Sequence, residues 1–296
     1  MLFAKLSLKI FDEVRAKSLT GIYLVFLTGL AYGWWYFDPL VVLSILAGTY
    51  LLLNQKDLLA GVAIALGTLT KWIPLLLMSV AWRFRPPRHA LRVTIIASML
   101  IIVVLAGLYF LSPDFTLASL RSQTSKWSWE TVWALLDGNL ITGNFGPEWQ
   151  RFDPKTAEQS LGNPPKLPPS LTIVPFLIIG LWSFTRVRLK DDRVAISFLG
   201  LTLCLFLLWS PGWSPQWILY LIPITLLAID SPRSIIFCIN LVFVSLLEWP
   251  ILLSRGRFDL LWAPVILRTL ILLVLSLEFG RTALKPLGLR VRGGVV

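Results

Sequence analysis

Long apolar runs separated by short polar joins form the dominant pattern along the chain. A helix that crosses a bilayer needs about 20 consecutive, mostly apolar residues, and eight runs reach or approach that length. They cover residues 20–36, 38–54, 93–112, 170–186, 192–209, 216–230, 232–252 and 259–280. The pattern therefore predicts an all-α, polytopic integral membrane protein whose apolar runs form the membrane helices.

A further apolar stretch, residues 58–82, is interrupted by Lys71 and Pro74. As a single span it would place the lysine near the bilayer centre, which costs about 2.5 to 3.5 kcal/mol on an insertion scale. Two short helices, 58–70 and 73–82, avoid this cost because they place Lys71 in the turn between them. With this hairpin we predict about ten membrane helices. The short helices cannot each cross a full bilayer, so the hairpin should border a cavity.

The composition supports a membrane protein, with 56% hydrophobic and 15% charged residues and a mean hydropathy of +0.75. The net charge is +11, but the Lys and Arg residues lie mostly in the joins, so nucleic acid is not an expected partner. Cytoplasmic joins carry the excess of Lys and Arg. Placing the basic join 83–92 inside gives two cytoplasmic termini and an outward-facing Lys71. We find no organelle or secretory signal and expect a prokaryotic plasma membrane.

Three segments of the predicted single membrane domain, 1–296, are not spans. Residues 1–18 have an amphipathic pattern typical of an interfacial helix. Residues 113–169 form a long external loop, in which Trp129, Val132, Trp133 and Leu136 recur at helical spacing before Gly138, so we expect a surface helix there. Residues 281–296 form a cytoplasmic tail.

The cysteine and histidine content limits the possible metal chemistry. Cys204 and Cys238 lie in different apolar runs and are interpreted as small buried hydrophobic residues, and His89 is the single histidine. No metal site and no cofactor are therefore predicted, although the sequence leaves a divalent metal open.

Four ionisable residues of the expected outer face are candidates for chemistry, and each has a structural alternative. Asp38 precedes Pro39 and could simply cap a helix. Lys71 could extend to the membrane surface beside a kink. Arg255 and Arg257 could flank the last span without any further role, or they could bind an anion.

Two further residues remain unexplained by the sequence. Glu248, followed by Trp249 and Pro250, is interpreted as a helix end. Arg268 lies inside the last apolar run and requires a partner or a cavity, but the sequence does not identify either.

Two motifs resemble those of membrane glycosyltransferases of the GT-C superfamily, which use polyprenyl-phosphate sugars. The first runs from Ala60-Gly61 to Lys71 and Pro74. The second, Ser214-Pro215-Gln216-Trp217 followed by Tyr220 and Pro223, is similar to glycosyltransferase family 87, whose members resemble mannosyltransferases. Phe37-Asp38-Pro39 and residues 128–136 also fit, so the resemblance extends from about residue 20 to 225.

The resemblance implies inverting transfer of a hexose, mannose being the first choice, from a polyprenyl-phosphate sugar to an acceptor hydroxyl. It implies a lipid-linked donor and membrane lipid as partners. Asp38 would act as the base and Lys71, Arg255 and Arg257 would bind the donor phosphate. The substrate pocket would comprise Trp72, Ser214, Gln216 and Trp217.

The chain departs from the family pattern at its start. Such enzymes usually begin with membrane helices whose first external loop carries the acidic base, and this chain begins in what resembles the middle of the pattern. We therefore expect the N-terminus to be truncated, or Asp38 or an acid of the long loop to have taken the role. The alternative functions are a membrane transporter or lipid flippase, and a catalytically inactive remnant.

Overall fold

The computed structural model describes residues 1–125, 127–140, 148–157, 162–188 and 191–284. Within these ranges the regular elements are helices, accompanied by two isolated β-bridges. The first seven helices are α1 (Leu2–Ile10), α2 (Glu13–Gly29), α3 (Tyr32–Trp35), α4 (Asp38–Leu53), α5 (Asp57–Thr70), α6 (Leu77–Phe84) and α7 (Pro87–Leu111). The prediction of an all-α fold is confirmed for the described residues.

Eight further helices complete the described chain. They are α8 (Pro113–Ser125), α9 (Val132–Asp137), α10 (Glu148–Arg151), α11 (Pro169–Arg186), α12 (Asp192–Trp209), α13 (Ile218–Ala228), α14 (Arg233–Leu246) and α15 (Trp262–Ala283). Short 3₁₀ turns precede α6 and α13, at Ile73–Leu76 and Pro215–Trp217. A π-helical segment, Leu247–Leu252, extends α14.

Five helical segments are long and apolar enough to cross a membrane, and they make the chain an integral membrane protein. They are Pro87–Leu111, Pro169–Arg186, Asp192–Trp209, Arg233–Arg255 and Phe258–Ala283. Four shorter apolar helices accompany them, at Asp38–Leu53, Asp57–Thr70, Ile73–Phe84 and Pro215–Ala228. The expected total of about ten membrane helices stays a prediction.

The first 36 residues are divided differently from the predicted interfacial helix and span. The side chain of Asp12 caps α2 by accepting a hydrogen bond of 3.0 Å from the Arg15 amide, so the helix break lies at residues 11–12. Helix α2 then ends at Gly29, and α3 forms a separate single turn. The sequence analysis placed the break after residue 18, because it relied on the apolar content and did not consider Asp12 as a helix cap.

The predicted hairpin around Lys71 is confirmed in its helix boundaries. Helix α5 ends at Thr70, Lys71 is extended, and the 3₁₀ turn beginning at Ile73 leads into α6. Gly67 makes the fold-back possible. A Cβ atom at this position would lie 2.5 Å from Cβ of Ser44 and 2.8 Å from Cγ of Pro74, so α5 packs closely against both α4 and the turn.

Helix α13 lies at the centre of the protein, and each of its residues is buried. It packs against α2, α4, α12 and α14. In contrast, only 11% of an apolar 18-residue stretch of α7 is buried, and the same share holds for α11. These two helices therefore present most of their apolar surface to the surrounding membrane.

The segment predicted as an external loop contains more helix than expected. Helix α8 follows α7 directly after Ser112 and has 13 residues. The helix expected here is α9, which is capped by Thr131 and ends at Gly138 with φ of 80°, as the glycine signal predicted. Its expected position at the outer surface stays a prediction. Residues 285–296, most of the predicted tail, lie outside the described ranges, whereas residues 281–283 continue α15.

Charged residues cluster at the end of the bundle where α4 and α13 finish. Asp57 accepts hydrogen bonds from Arg85 at 2.9 Å and His89 at 2.5 Å. Asp230 pairs with Arg193 at 2.8 Å and Arg15 at 3.1 Å. The hydrogen bond from Arg193, followed by that from Arg15, holds the pKa of Asp230 below its usual value, although partial burial opposes this shift.

Candidate functional site

Asp38 and Lys71 form a largely buried ion pair at the opposite end of the bundle. The Nζ atom of Lys71 lies 2.7 Å from Oδ1 of Asp38, and the exposed fractions of the two side chains are 22% and 1%. Phe37 occupies the N-cap position and Asp38 is the first residue of α4. The Asp38 side chain accepts its hydrogen bonds from Lys71 and Tyr220, and among the described residues it accepts none from a backbone amide. The interpretation of Asp38 as a simple helix cap is therefore wrong.

Tyr220 completes this cluster from the buried helix α13. Its hydroxyl donates a hydrogen bond to Oδ1 of Asp38 and accepts one from Nζ of Lys71 at 3.3 Å. Tyr220 was absent from the predicted site residues. The available signal was its position three residues after Trp217, in the quoted motif and on one face of α13.

Aromatic rings surround the ammonium group of Lys71. Nζ lies 5.2 Å from the ring centroid of Phe37, 5.6 Å from that of Trp217 and 6.0 Å from that of Tyr220. Each distance is within the range of a cation–π interaction. The rings and the carboxylate together stabilise a cation that a bare apolar site would exclude.

The cluster keeps unused hydrogen-bonding capacity. Oδ2 of Asp38 and Nε1 of Trp217 are both buried, and neither has a hydrogen-bond partner among the described residues. A lysine ammonium has three N–H donors, and the hydrogen bonds to Asp38 and Tyr220 use two of them. One acceptor and two donors thus remain available in a buried site.

The other predicted site residues are only partly brought together. Trp72 follows Lys71 in the same turn and is 43% exposed. The carbonyl group of Ser214 accepts a hydrogen bond of 2.9 Å from the Trp217 amide, which closes the turn containing Gln216. These residues lie on the chain immediately beside the cluster.

Arg255 and Arg257 are not joined to the cluster by any hydrogen bond or ion pair within the described ranges. Arg257 instead pairs with Asp259 at 2.9 Å, with both side chains more than half exposed. The hydrogen bonds to Asp259 raise the pKa of the Arg257 guanidinium. A role in binding an anion would require Arg257 to exchange this partner.

Arg268 has the partner that the sequence could not identify. Its guanidinium forms a buried ion pair with Glu248 and also donates a hydrogen bond to the backbone carbonyl of Glu130. Glu248 therefore does more than end a helix.

The described residues include no group of three His, Cys, Asp or Glu side chains arranged to hold a metal ion. The absence of a cofactor stays a prediction.

Buried ionisable groups at one end of a bundle of apolar helices are typical of a membrane protein that handles a polar substrate near the bilayer surface. A family model for glycosyltransferase family 87 matches residues 18–211. Because this match covers more than half of the chain, the protein belongs to that family and is a membrane glycosyltransferase. No curated protein and no solved structure matches it.

The matched segment contains Asp38 and Lys71 and ends just before the Ser214–Trp217 turn. The family assignment therefore includes two members of the cluster, while Tyr220 joins them through the fold.

Proposed function

We propose that the protein transfers a hexose, with mannose as the first choice, from a polyprenyl-phosphate sugar to an acceptor hydroxyl at the outer face of the membrane. The buried pair of Asp38 and Lys71 is the observation that carries this proposal. Sugar transfer of this kind needs a base for the acceptor proton and positive charge near the leaving phosphate.

In the proposed reaction, the acceptor oxygen attacks the anomeric carbon while the bond from this carbon to the phosphate oxygen breaks. The bonding electrons leave with the polyprenyl phosphate, the anomeric centre inverts, and Oδ2 of Asp38 takes the proton. Oδ1 is less suited to this role because Lys71 and Tyr220 both donate to it. General-base catalysis contributes a factor of about 10² to 10⁴.

Lys71 has the complementary role in the proposal. Its third N–H donates to an oxygen of the donor phosphate, where negative charge grows as the sugar leaves. Trp72, Gln216 and Trp217 line the sugar position. Ser214 begins the turn that contains Gln216 and Trp217. Arg255 and Arg257 are the second choice for the phosphate. The reaction needs no cofactor, and assays with a chelator test whether a divalent metal contributes.

An apolar groove of ≈ 280 Å³ supports a lipid-linked donor. It lies between α11 and α12 and is lined by Phe176, Phe184, Phe198, Phe206 and Trp209. Leu76 and Ser79, which follow the Lys71 turn, complete its wall. In the proposal the polyprenyl chain occupies this groove while its phosphate reaches Lys71.

The charge distribution supports the proposed orientation. Helix α4 has 16 residues and is therefore about 24 Å long, which separates Asp38 from the basic clusters around Asp57 and Asp230. If those clusters lie inside, as the distribution of Lys and Arg favours, then the Asp38 cluster faces outward. We propose a prokaryotic plasma membrane with cytoplasmic termini. Labelling of a cysteine placed at Trp72 by an impermeant reagent in intact cells tests this orientation.

The main experiment measures transfer from radiolabelled polyprenyl-phosphate mannose in membranes that contain the protein. Asp38→Asn should reduce transfer by about 10²-fold or more, because an amide cannot accept the proton. Glu13→Gln is the control, since Glu13 is an acid at the start of α2, outside the long loop, and its side chain is 70% exposed. Equal activity of Asp38→Asn and the wild type would exclude Asp38 as the base.

The same experiment separates the alternatives. If the wild type transfers no sugar from donors of several sugar types, the hypothesis of an inactive remnant replaces the proposal. Transfer from a glucose donor and not from the mannose donor would keep the reaction and change the sugar.

A further inference from the structure

The ion pair between Arg268 and Glu248 is buried within the apolar part of the bundle, with side-chain exposed fractions of 3% and 0%. Glu248 lies in the π-helical segment that extends α14, and Arg268 lies in α15. Replacing such a pair with apolar residues is often neutral or stabilising, because desolvation of the charges offsets their attraction. Stability alone therefore does not explain why this pair is present.

One side of the pair holds the turn of the candidate site. Nε1 of Trp213 donates to Oε2 of Glu248 at 3.1 Å, and the Arg268 guanidinium lies 4.3 Å from the Trp213 ring centroid. Trp213 packs edge-on against Trp217 with ring centroids 5.8 Å apart. Trp217 in turn contacts Lys71, so one chain of contacts leads from Arg268 to the cluster.

The other side of the pair holds the segment between α8 and α9. The second hydrogen bond of Arg268 goes to the carbonyl of Glu130, whose φ of 51° is left-handed. A non-glycine residue keeps this conformation where its surroundings fix it. The amide of Trp129 donates to the Pro211 carbonyl, and the amide of Trp213 donates to the Trp129 carbonyl, both at 3.1 Å. The ring of Trp129 packs directly against Gly212.

We propose that Arg268 and Glu248 are positioning residues for the glycosyl-transfer site. Their ion pair holds the side chain of Trp213 in place. The guanidinium of Arg268, which also donates to the Glu130 carbonyl, holds residues 128–131 against the turn that carries Trp217. Arg268 is suited to this role because its planar guanidinium donates in two directions at once, which a lysine ammonium on a flexible chain does much less well. The link to catalysis rests on the proposed function, whereas the docking does not.

Arg268→Lys tests the double contact of the guanidinium. The lysine keeps a positive charge opposite Glu248 but lacks the planar group that donates to Glu248 and to the Glu130 carbonyl at once. We expect near-wild-type thermal stability in detergent and a fall in transfer of about tenfold or more at saturating donor. Hydrogen exchange should be faster by about tenfold, and this change should be confined to the amides of residues 128–131, 212 and 213. Arg233→Lys is the matched control, because Arg233 pairs with Glu278 at 2.9 Å with its own side chain 56% exposed.

A second variant protects the test against a folding failure. Arg268→Met combined with Glu248→Gln removes both charges, avoids an unpaired buried ion and keeps an acceptor for Trp213. It should fold and reproduce the local loss of exchange protection.

Two results would overturn the proposal. One is exchange and transfer in Arg268→Lys that match those of Arg233→Lys. The other is a general loss of stability with faster exchange throughout the chain, which indicates a merely structural pair. If the wild type shows no transfer, the proposed function fails on its own, and the exchange measurements still decide the docking role.

Discussion

The hydroxyl group of Tyr220 donates its hydrogen bond to the same oxygen of Asp38 that pairs with Lys71. The two oxygens of this buried carboxylate are therefore not equivalent, because Oδ1 has two donors and Oδ2 has no partner among the described residues. The asymmetry leaves Oδ2 available to a hydroxyl group that enters the site, and under the proposed function it makes Tyr220 a residue that orients the base.

Tyr220→Phe removes this hydroxyl and keeps the aromatic ring. We expect sugar transfer to fall about tenfold, since a misoriented base loses part of its contribution. The free energy of unfolding should fall by about 1.5 to 3 kcal/mol, the usual range for a hydrogen bond to a charged group. Transfer assays and thermal unfolding in detergent measure both effects. Tyr109→Phe, at a position 45% exposed on α7, is the control and should change neither.

Lys71→Met leaves the Asp38 carboxylate buried without its cation. Breaking a buried pair in this way costs about 3 to 5 kcal/mol, so we expect a large fall in thermal stability and loss of transfer. Combining Lys71→Met with Asp38→Asn should recover much of the stability, because no charge remains uncompensated, but not the activity. A single variant as stable as the wild type would mean that the ion pair does not form.

Gly67→Ala tests the close packing beside the site. The added Cβ would meet Ser44 and Pro74 at less than 3.0 Å, so α4 or the Lys71 turn must move. Overpacking typically costs about 1 to 3 kcal/mol, and the displaced turn should also lower transfer. Gly107→Ala is the matched helical control, because a Cβ at that position has no heavy atom within 4 Å apart from its chain neighbours and the backbone of its own helix. Equal unfolding temperatures of the two variants would contradict the packing.

Stability should depend on pH through Asp230. Its pKa is lowered in the folded protein, first by the hydrogen bond from Arg193, so its ion pairs stabilise the fold above the ordinary Asp pKa of about 3.9. This contribution is lost as the pH falls through the lower folded value. The difference in unfolding temperature between the wild type and Asp230→Asn should be constant near neutral pH and shrink below about pH 4. A difference that grows on acidification would contradict the assignment.

The sequence was informative where a residue conflicts with its surroundings. Lys71 and Pro74 inside an apolar run predicted the break between α5 and the following turn, and the break is present. Helix α8 was missed because its residues are largely polar and lack a clear apolar stripe. The start of α2 was missed because a single Asp cap, at Asp12, determines it.

The candidate site was predictable as a set of residues and not as an arrangement. Asp38 and Lys71 were both selected from the sequence, but they are 33 positions apart, and nothing in the pattern indicates that they pair. Arg268 required a partner, yet Glu248 could be identified only once α14 and α15 were placed side by side. Such long-range pairs depend on helix packing, which a single sequence does not encode in any local signal.

Tyr220 is 149 positions from Lys71, and this distance has a consequence during synthesis. Translation proceeds at about 5 to 20 residues per second, so about 7 to 30 s pass between the appearance of these two residues. Until then the nascent helices α4 to α6 contain only Lys71 and its counter-ion Asp38. If translation stops before α13 is synthesised, the membrane therefore contains the Asp38 and Lys71 pair without Tyr220. The site is completed only when α13, whose residues are all buried, joins the bundle.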